Sequence, residues 1–211
     1  MELHFYPGQK LLVVKDSHNI QHPFDAWGGP STTGNDPHMK PIPTTAGTYI
    51  IASTGPYSTQ TWSWSKIKWG TKLKDMPHKK DVWYQLSSGK WGSVKKDIGI
   101  NRTEIMKRYY ELYSKNVVPK KWVFNDFGPI AIRYFKDING NRMLDKNERL
   151  SGEMIHTTPE NEAQSQSGNT VTLAESHGCI HVKPKDRNKL HTMGAFKSGT
   201  TFIVHKYSER L

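Results

Sequence analysis

A chain of 211 residues is long enough for one domain with a substantial core, or for a domain carrying a large insertion, but at 35% hydrophobic content that core must draw heavily on its seven Trp, nine Tyr and seven Phe. The formal charge of +11 favours a polyanionic partner or surface, yet Lys and Arg are scattered and no recognition helix or RNA-binding motif accompanies them, which sets nucleic acid aside. One cysteine excludes an intrachain disulfide, and nothing reads as a membrane span or a secretory leader: Leu11 to Val14 is too short and lies between Lys10 and Lys15.

Residues 1 to 52 read as short strands broken by turns at Pro7-Gly8, Gly28-Gly29-Pro30 and Gly34-Asn35-Asp36-Pro37, a pattern that suits an all-β sandwich or curled sheet. An insertion over about 53–100 carries Trp62, Trp64, Trp69, Trp83 and Trp91, five of the seven tryptophans. Val82 to Leu86 returns through Ser87-Ser88-Gly89-Lys90 to Trp91 as a hairpin. Most of these rings are expected to be core, with a cap over a binding site as the alternative. A helix is expected near 101–115, where Asn101 and Glu104 have capping-box spacing and Ile105, Tyr109 and Leu112 share a face that packs against the sheet. No internal repeat and no low-complexity tail are visible.

Between apparent strands at 129–135 and 152–155, residues 137–148 place oxygen-bearing Asp137, Asn139, Asn141, Asp145 and Glu148 at the first, third, fifth, ninth and twelfth places of an EF-hand-type calcium loop. Met143 stands at the seventh place and Leu144 at the usual apolar eighth. Against calcium, Arg142 stands where the sharp turn normally needs Gly, and the flanks read as strands, so a polar hairpin loop held by Asx turns is the competing reading. A bound ion would brace the hairpin and act on chemistry only indirectly.

The second of these strands, Gly152 to Thr157, delivers His156 at its end. Ser176-His177-Gly178-Cys179-Ile180-His181 then places the sole cysteine after a glycine and between two histidines, before a helical segment around Leu190 and Met193 and a closing strand from Gly199 to Val204. A thiol attacks as thiolate, so neighbouring imidazoles that take its proton, and a glycine turn that aims N–H groups at an oxyanion, are what a nucleophile needs. Two other readings fit the hexapeptide alone. Cys179 can be a small buried hydrophobe. In an extended strand His177, Cys179 and His181 would share a face and could hold zinc.

The order His156, then Ser176-His177-Gly178-Cys179-Ile180, resembles the catalytic signature of the L,D-transpeptidase (YkuD-type) family, which continues with Asn or Arg where this chain has His181. Lys40 to Ile51, with Gly47-Thr48-Tyr49, is similar to that family's turn and strand, and Lys10 to Val14 resembles its first strand. The resemblance implies a single mainly β, YkuD-like catalytic domain over 1–211, a β-sandwich or curled mixed sheet with one or two helices and the Trp-rich insertion. It implies Cys179 as nucleophile and His156 as general base, with the carbonyl of Thr157 orienting the imidazole. His177 and Ser176 would hold the loop and substrate, and the N–H groups of His177, Gly178 and Cys179 would form the oxyanion hole. The role of His181 is unassigned.

The implied function is a cysteine acyltransferase or hydrolase acting on peptidoglycan stem tetrapeptides, by transpeptidation, D-amino-acid exchange or L,D-carboxypeptidase cleavage, with no cofactor required for the chemistry; calcium, on the loop reading above, would be structural only. A catalytically silent cell-wall-binding module and a cysteine endopeptidase of peptidoglycan are the alternatives. Such an enzyme works in the periplasm or cell wall. The lack of a leader fits either its removal or delivery by a specialised secretion system, and the start at Met1 favours the second, which would make the protein an antibacterial effector with a cognate immunity protein.

Overall fold

Ahead of the expected turn at Pro7-Gly8, Glu2–Tyr6 forms β1, with Leu3 and Phe5 fully buried. Pro7–Gln9 makes a 3-10 turn, Lys10 takes the left-handed conformation at φ 54°, and β2 (Leu11–Lys15) runs back antiparallel to β1. The computed structural model describes residues 1–35 and 40–211, so Asp36 and Pro37 of the expected turn lie outside the described residues. β3 (Gln21–Trp27) and β4 (Gly47–Gly55) complete the first quarter. Later strands are β5 (Leu73–Met76), β6 (Asp81–Gln85), β7 (Trp91–Ser93), β8 (Ala131–Phe135), β9 (Leu150–His156), β10 (Ile180–Val182) and β11 (Thr201–Val204).

The protein is mainly β with a mixed sheet. Eight strands close into a barrel in the order β1-β11-β4-β8-β9-β10-β3-β2. The β1–β11 and β9–β10 pairings are parallel and the others antiparallel. Closure removes free edges. Because strand side chains alternate between faces, Leu3, Phe5, Leu12, Val14, Ile132, Tyr134, Ile155, Ile180, Val182, Phe202 and Val204 form one buried cluster, joined by Leu190, Ala195 and Phe196. The strand over 199–204 and the two strands flanking 137–148 are present as expected.

Among the described residues there are four α-helices, α1 (Val94–Ile98), α2 (Arg102–Tyr113), α3 (Pro159–Gln166) and α4 (Pro184–Met193), where one or two were expected. The two longest, α2 and α4, are those the sequence located. In α2 both halves of the capping box are formed: Glu104 N–H donates to Asn101 Oδ1 at 3.1 Å and Asn101 N–H to Glu104 Oε2 at 2.7 Å.

The described residues gather into two compact units, one of Met1–Gly55, Ala131–Thr157 and Val171–Leu211, the other of Pro56–Ile130 and Thr158–Thr170. The Trp-rich stretch falls almost wholly in the second, which also holds α2 and α3. The expectation that most of its five rings are core is corrected. Trp62 and Trp91 are 43% and 39% exposed, and Trp69 and Trp83 are half-buried. Only Trp64 joins the second unit's core, stacked on Trp122, whose side chain is fully buried.

A repeat is also present that the sequence did not reveal. β1, its 3-10 turn, β2 and the turn into β3 have a counterpart in β5, a 3-10 turn at Pro77–Lys79, β6 and the turn into β7. Lys80 (φ 50°) matches Lys10 and Gly89 (φ 80°) matches Asn19 (φ 65°). Closing hydrogen bonds match too: Asp16 N–H to Ile20 O beside Leu86 N–H to Lys90 O, and Lys10 N–H to Pro7 O beside Lys80 N–H to Pro77 O. Only Leu3/Leu73, Pro7/Pro77, Lys10/Lys80 and Ser17/Ser87 keep their residue type across the two copies, so the likeness lies mainly in backbone conformation and is lost to a reading by identity.

Candidate active site

Parallel pairing of β9 and β10 sets Ile180 beside Ile155 and His181 beside His156. Ile155 and Ile180 point into the barrel core, so His156 and His181 share the opposite face. Their rings meet edge to face at 4.9 Å. His156 is 4% exposed and its Nδ1–H donates to the carbonyl of Thr157 at 2.9 Å, which leaves Nε2 as the basic nitrogen. His181 Nδ1–H donates to the Ala174 carbonyl at 3.0 Å, tying the incoming loop back to β10. This gives His181 the place that the sequence left unassigned: it buttresses His156 and anchors the loop.

Cys179 immediately precedes β10 and lies two residues before His181. Burial pushes the thiol up to about 11, opposed by the Met154 backbone and reinforced by the Glu153 carboxylate. Burial brings His156 down to about 3, with the His181 imidazole adding to the effect and the Thr157 carbonyl opposing it. Thiol and imidazole are therefore each neutral at neutral pH.

The turn before Cys179 is built by short polar bonds. Ser176 N–H donates to Gly28 O at 3.0 Å. The Ser176 hydroxyl accepts the Gly178 N–H at 3.1 Å and itself donates to the Cys179 carbonyl. Gly178 has φ +109°, and a Cβ there would lie 3.3 Å from Glu153 and from Ile42, so only glycine fits. Its carbonyl accepts from Thr44 Oγ1 at 2.9 Å, and that oxygen accepts the Gly29 N–H at 3.0 Å. Of the three N–H groups expected to face an oxyanion, that of Gly178 is committed to Ser176, which leaves those of His177 and Cys179 for the role. His177 itself is exposed.

Sequence reasoning missed four supporting residues. Glu153 is buried and accepts from Thr45 Oγ1 at 2.7 Å, from Thr45 N–H at 3.1 Å and from Tyr134 Oη at 3.2 Å. Arg187 on α4 donates from Nη1 to Thr157 Oγ1 at 3.3 Å, propping the residue whose carbonyl holds His156. Thr44 closes the Gly29–Gly178 contact. Apart from Thr44 and Thr45 lying in the recognised turn, no local pattern marked these residues.

The extended run needed for zinc does not form, because His177 and Gly178 lie in the turn and β10 begins at Ile180. Among the described residues no three His, Cys, Asp or Glu side chains gather as a metal-holding group. In the loop over 137–148, Asp137 accepts the N–H groups of Gly140 and Arg142 at 2.8 and 2.9 Å, and Glu148 accepts those of Ile138 and Asp145 at 2.7 and 3.2 Å. Asn139 and Asn141 donate their amides to Asp145 at 2.8 and 3.0 Å, while the Asn141 carbonyl oxygen accepts the Met143 N–H at 2.8 Å. Arg142, at the glycine place, does adopt positive φ (62°) and is held by bonds to Gly199 O at 2.6 Å and Thr201 Oγ1 at 2.8 Å.

No protein-family model matches the chain, and no curated protein matches it. Among solved structures it is similar to the L,D-transpeptidase from Xylanimonas cellulosilytica, at 10% identity and a TM-score of 0.40, over 96% of this chain and 59% of that one. The chain thus spans less than two thirds of the length of the structure it matches.

Proposed function

We propose that the protein is a cysteine acyltransferase acting on peptidoglycan stem peptides, with Cys179 as nucleophile and His156 as general base. One observation supports the reading: in the β9–β10 register His181, two residues after Cys179, pairs with His156, a buried histidine whose Nδ1–H is fixed on Thr157 O. The resemblance of Ser176-His177-Gly178-Cys179 to the L,D-transpeptidase signature supplies the substrate class.

Because both groups rest neutral, attack is coupled to proton transfer. As sulfur bonds to the carbonyl carbon of the third, diamino-acid residue, its proton passes to His156 Nε2, and the oxyanion meets the N–H groups of His177 and Cys179. The C–N bond to the terminal D-alanine then breaks, His156 returns the proton to the leaving amine, and a thioester remains. An amine acceptor gives a cross-link or an exchanged D-amino acid; water gives carboxypeptidase cleavage. The seat of action would be the periplasm or cell wall, and delivery as an antibacterial effector with an immunity partner belongs to the same proposal.

Intact-protein mass spectrometry after brief exposure to a stem tetrapeptide tests this reading. An adduct of tripeptide mass on the wild type, absent from Cys179→Ala, is expected; no adduct under any condition counts against covalent catalysis. Calcium in the 137–148 loop is proposed as a structural addition only, since an ion would draw on oxygens that now accept N–H groups. Millimolar calcium is expected to raise the melting temperature without changing turnover. An unchanged melting curve removes calcium from the account.

A further inference from the structure

A cleft of about 180 Å³ lies in the first unit beside the cysteine turn, with Lys10, Trp27, Gly28, Ser31, Glu175 and Tyr207 on its walls. It is smaller than the ~300–1,000 Å³ of drug-sized pockets, and suits a group the size of one amino acid. Two connections tie it to the site. Glu175 directly precedes Ser176, whose N–H donates to Gly28 O. Trp27 on β3 is in register with His181 on β10, which is in register with His156 on β9. With neighbouring strands ~4.8 Å apart, Trp27 sits about 10 Å across the sheet from His156.

The chemistry of the walls is two-signed. The Lys10 ammonium lies 3.4 Å from the centroid of the Trp27 ring, a cation–π contact that parks its charge at the cleft. Among the described residues neither Lys10 nor Glu175 has an ion-pair partner. A carboxylate would satisfy Lys10 and an ammonium would satisfy Glu175, each through charge-assisted hydrogen bonds, while the Trp27 ring covers the carbon between them. A neutral sugar would use neither charge, and a simple anion would leave Glu175 opposed.

We infer that this cleft is a subsite for a zwitterionic α-amino-acid group, bound by Lys10 through its carboxylate and by Glu175 through its ammonium. The inference rests on the proposed acyl transfer only for the source of that group: a free amino acid arriving as acceptor, or the charged end of a diamino-acid side chain within the stem peptide.

Calorimetric titration of the Cys179→Ala protein tests it without turnover. The probes are D-methionine, its amide, its N-acetyl derivative, and a stem peptide whose third residue carries both an amine and a carboxylate on its side chain. At least one zwitterionic probe is expected to bind, and loss of either charge to weaken it about tenfold or more. Lys10→Ala and Glu175→Gln, made in the same background, should each weaken it similarly with unchanged melting curves. Binding of D-methionine assigns the acceptor source; binding of the peptide alone assigns the side-chain source. No binding by either, or binding indifferent to both substitutions, overturns the subsite. A protein that forms thioester but shows no charge-dependent binding sinks the subsite alone, and one that binds yet never acylates sinks the transfer reading alone.

Discussion

At the scale of single residues, the proposed site draws on a neutral thiol and a neutral imidazole. With the Cys179 thiol at about 11, alkylation by iodoacetamide should be slow at pH 7 and climb steadily toward pH 11, with no plateau near neutrality. Glu153→Gln removes a carboxylate that pushes the thiol up and should speed alkylation at pH 8 several-fold; an unchanged rate would show that burial alone sets the thiol. His156 carries a stability signature as well. It stays neutral when folded down to about pH 3, while an unfolded chain takes up that proton near 6.5. Its contribution is thus fully present above about pH 6.5 and is lost as pH falls from there toward 3. Urea melts should show His156→Gln losing less stability than wild type between pH 7 and 4, and parallel losses would contradict the assignment. Cys179, His156 and Thr157 could be named from the sequence because a strand-end histidine followed by Ser176-His177-Gly178-Cys179 resembles a known signature. Glu153, Thr44 and Arg187 could not, since the Thr45–Glu153 bond joins residues 108 apart and the Arg187–Thr157 bond residues 30 apart.

At the scale of elements, local signals were read correctly where the cause is local. The capping box of α2 and the strand ending at His156 each follow from a few adjacent residues. The strand ahead of the Pro7-Gly8 turn is present as β1, but its parallel pairing with β11 joins the two ends of the chain and no run of adjacent residues displays it. The β8–β9 hairpin depends on Arg142, a non-glycine residue at φ 62° whose guanidinium reaches Gly199 O and Thr201 Oγ1. Arg142→Ala should keep the strained backbone, lose those bonds and cost about 1 kcal/mol in denaturant titration; a neutral result would mean the loop holds itself by its Asx turns. The cysteine turn is stricter. Gly178→Ala meets both positive φ and 3.3 Å contacts, so turnover should fall by two orders of magnitude or more while circular dichroism still reports the barrel.

At the scale of the whole molecule, the barrel and the Trp-containing unit each carry a buried cluster of their own. Trp122 is fully buried, and its indole N–H donates to Trp64 O at 2.9 Å. Trp122→Ala should therefore destabilise the second unit by about 3–5 kcal/mol, read as an earlier unfolding transition by tryptophan fluorescence; a melting curve identical to wild type would contradict that packing. The fold class was legible because turn residues and strand-length runs fix a mainly β chain, while barrel closure, the division into two units and the repeated β–turn–β–β unit depend on long-range pairing and backbone angles that residue types do not display. The most direct test of the central claim is mass spectrometry of purified stem tetrapeptides incubated with wild type and with Cys179→Ala. Loss of the terminal D-alanine with wild type alone is the result expected, and identical silence from both proteins would contradict acyl transfer through Cys179.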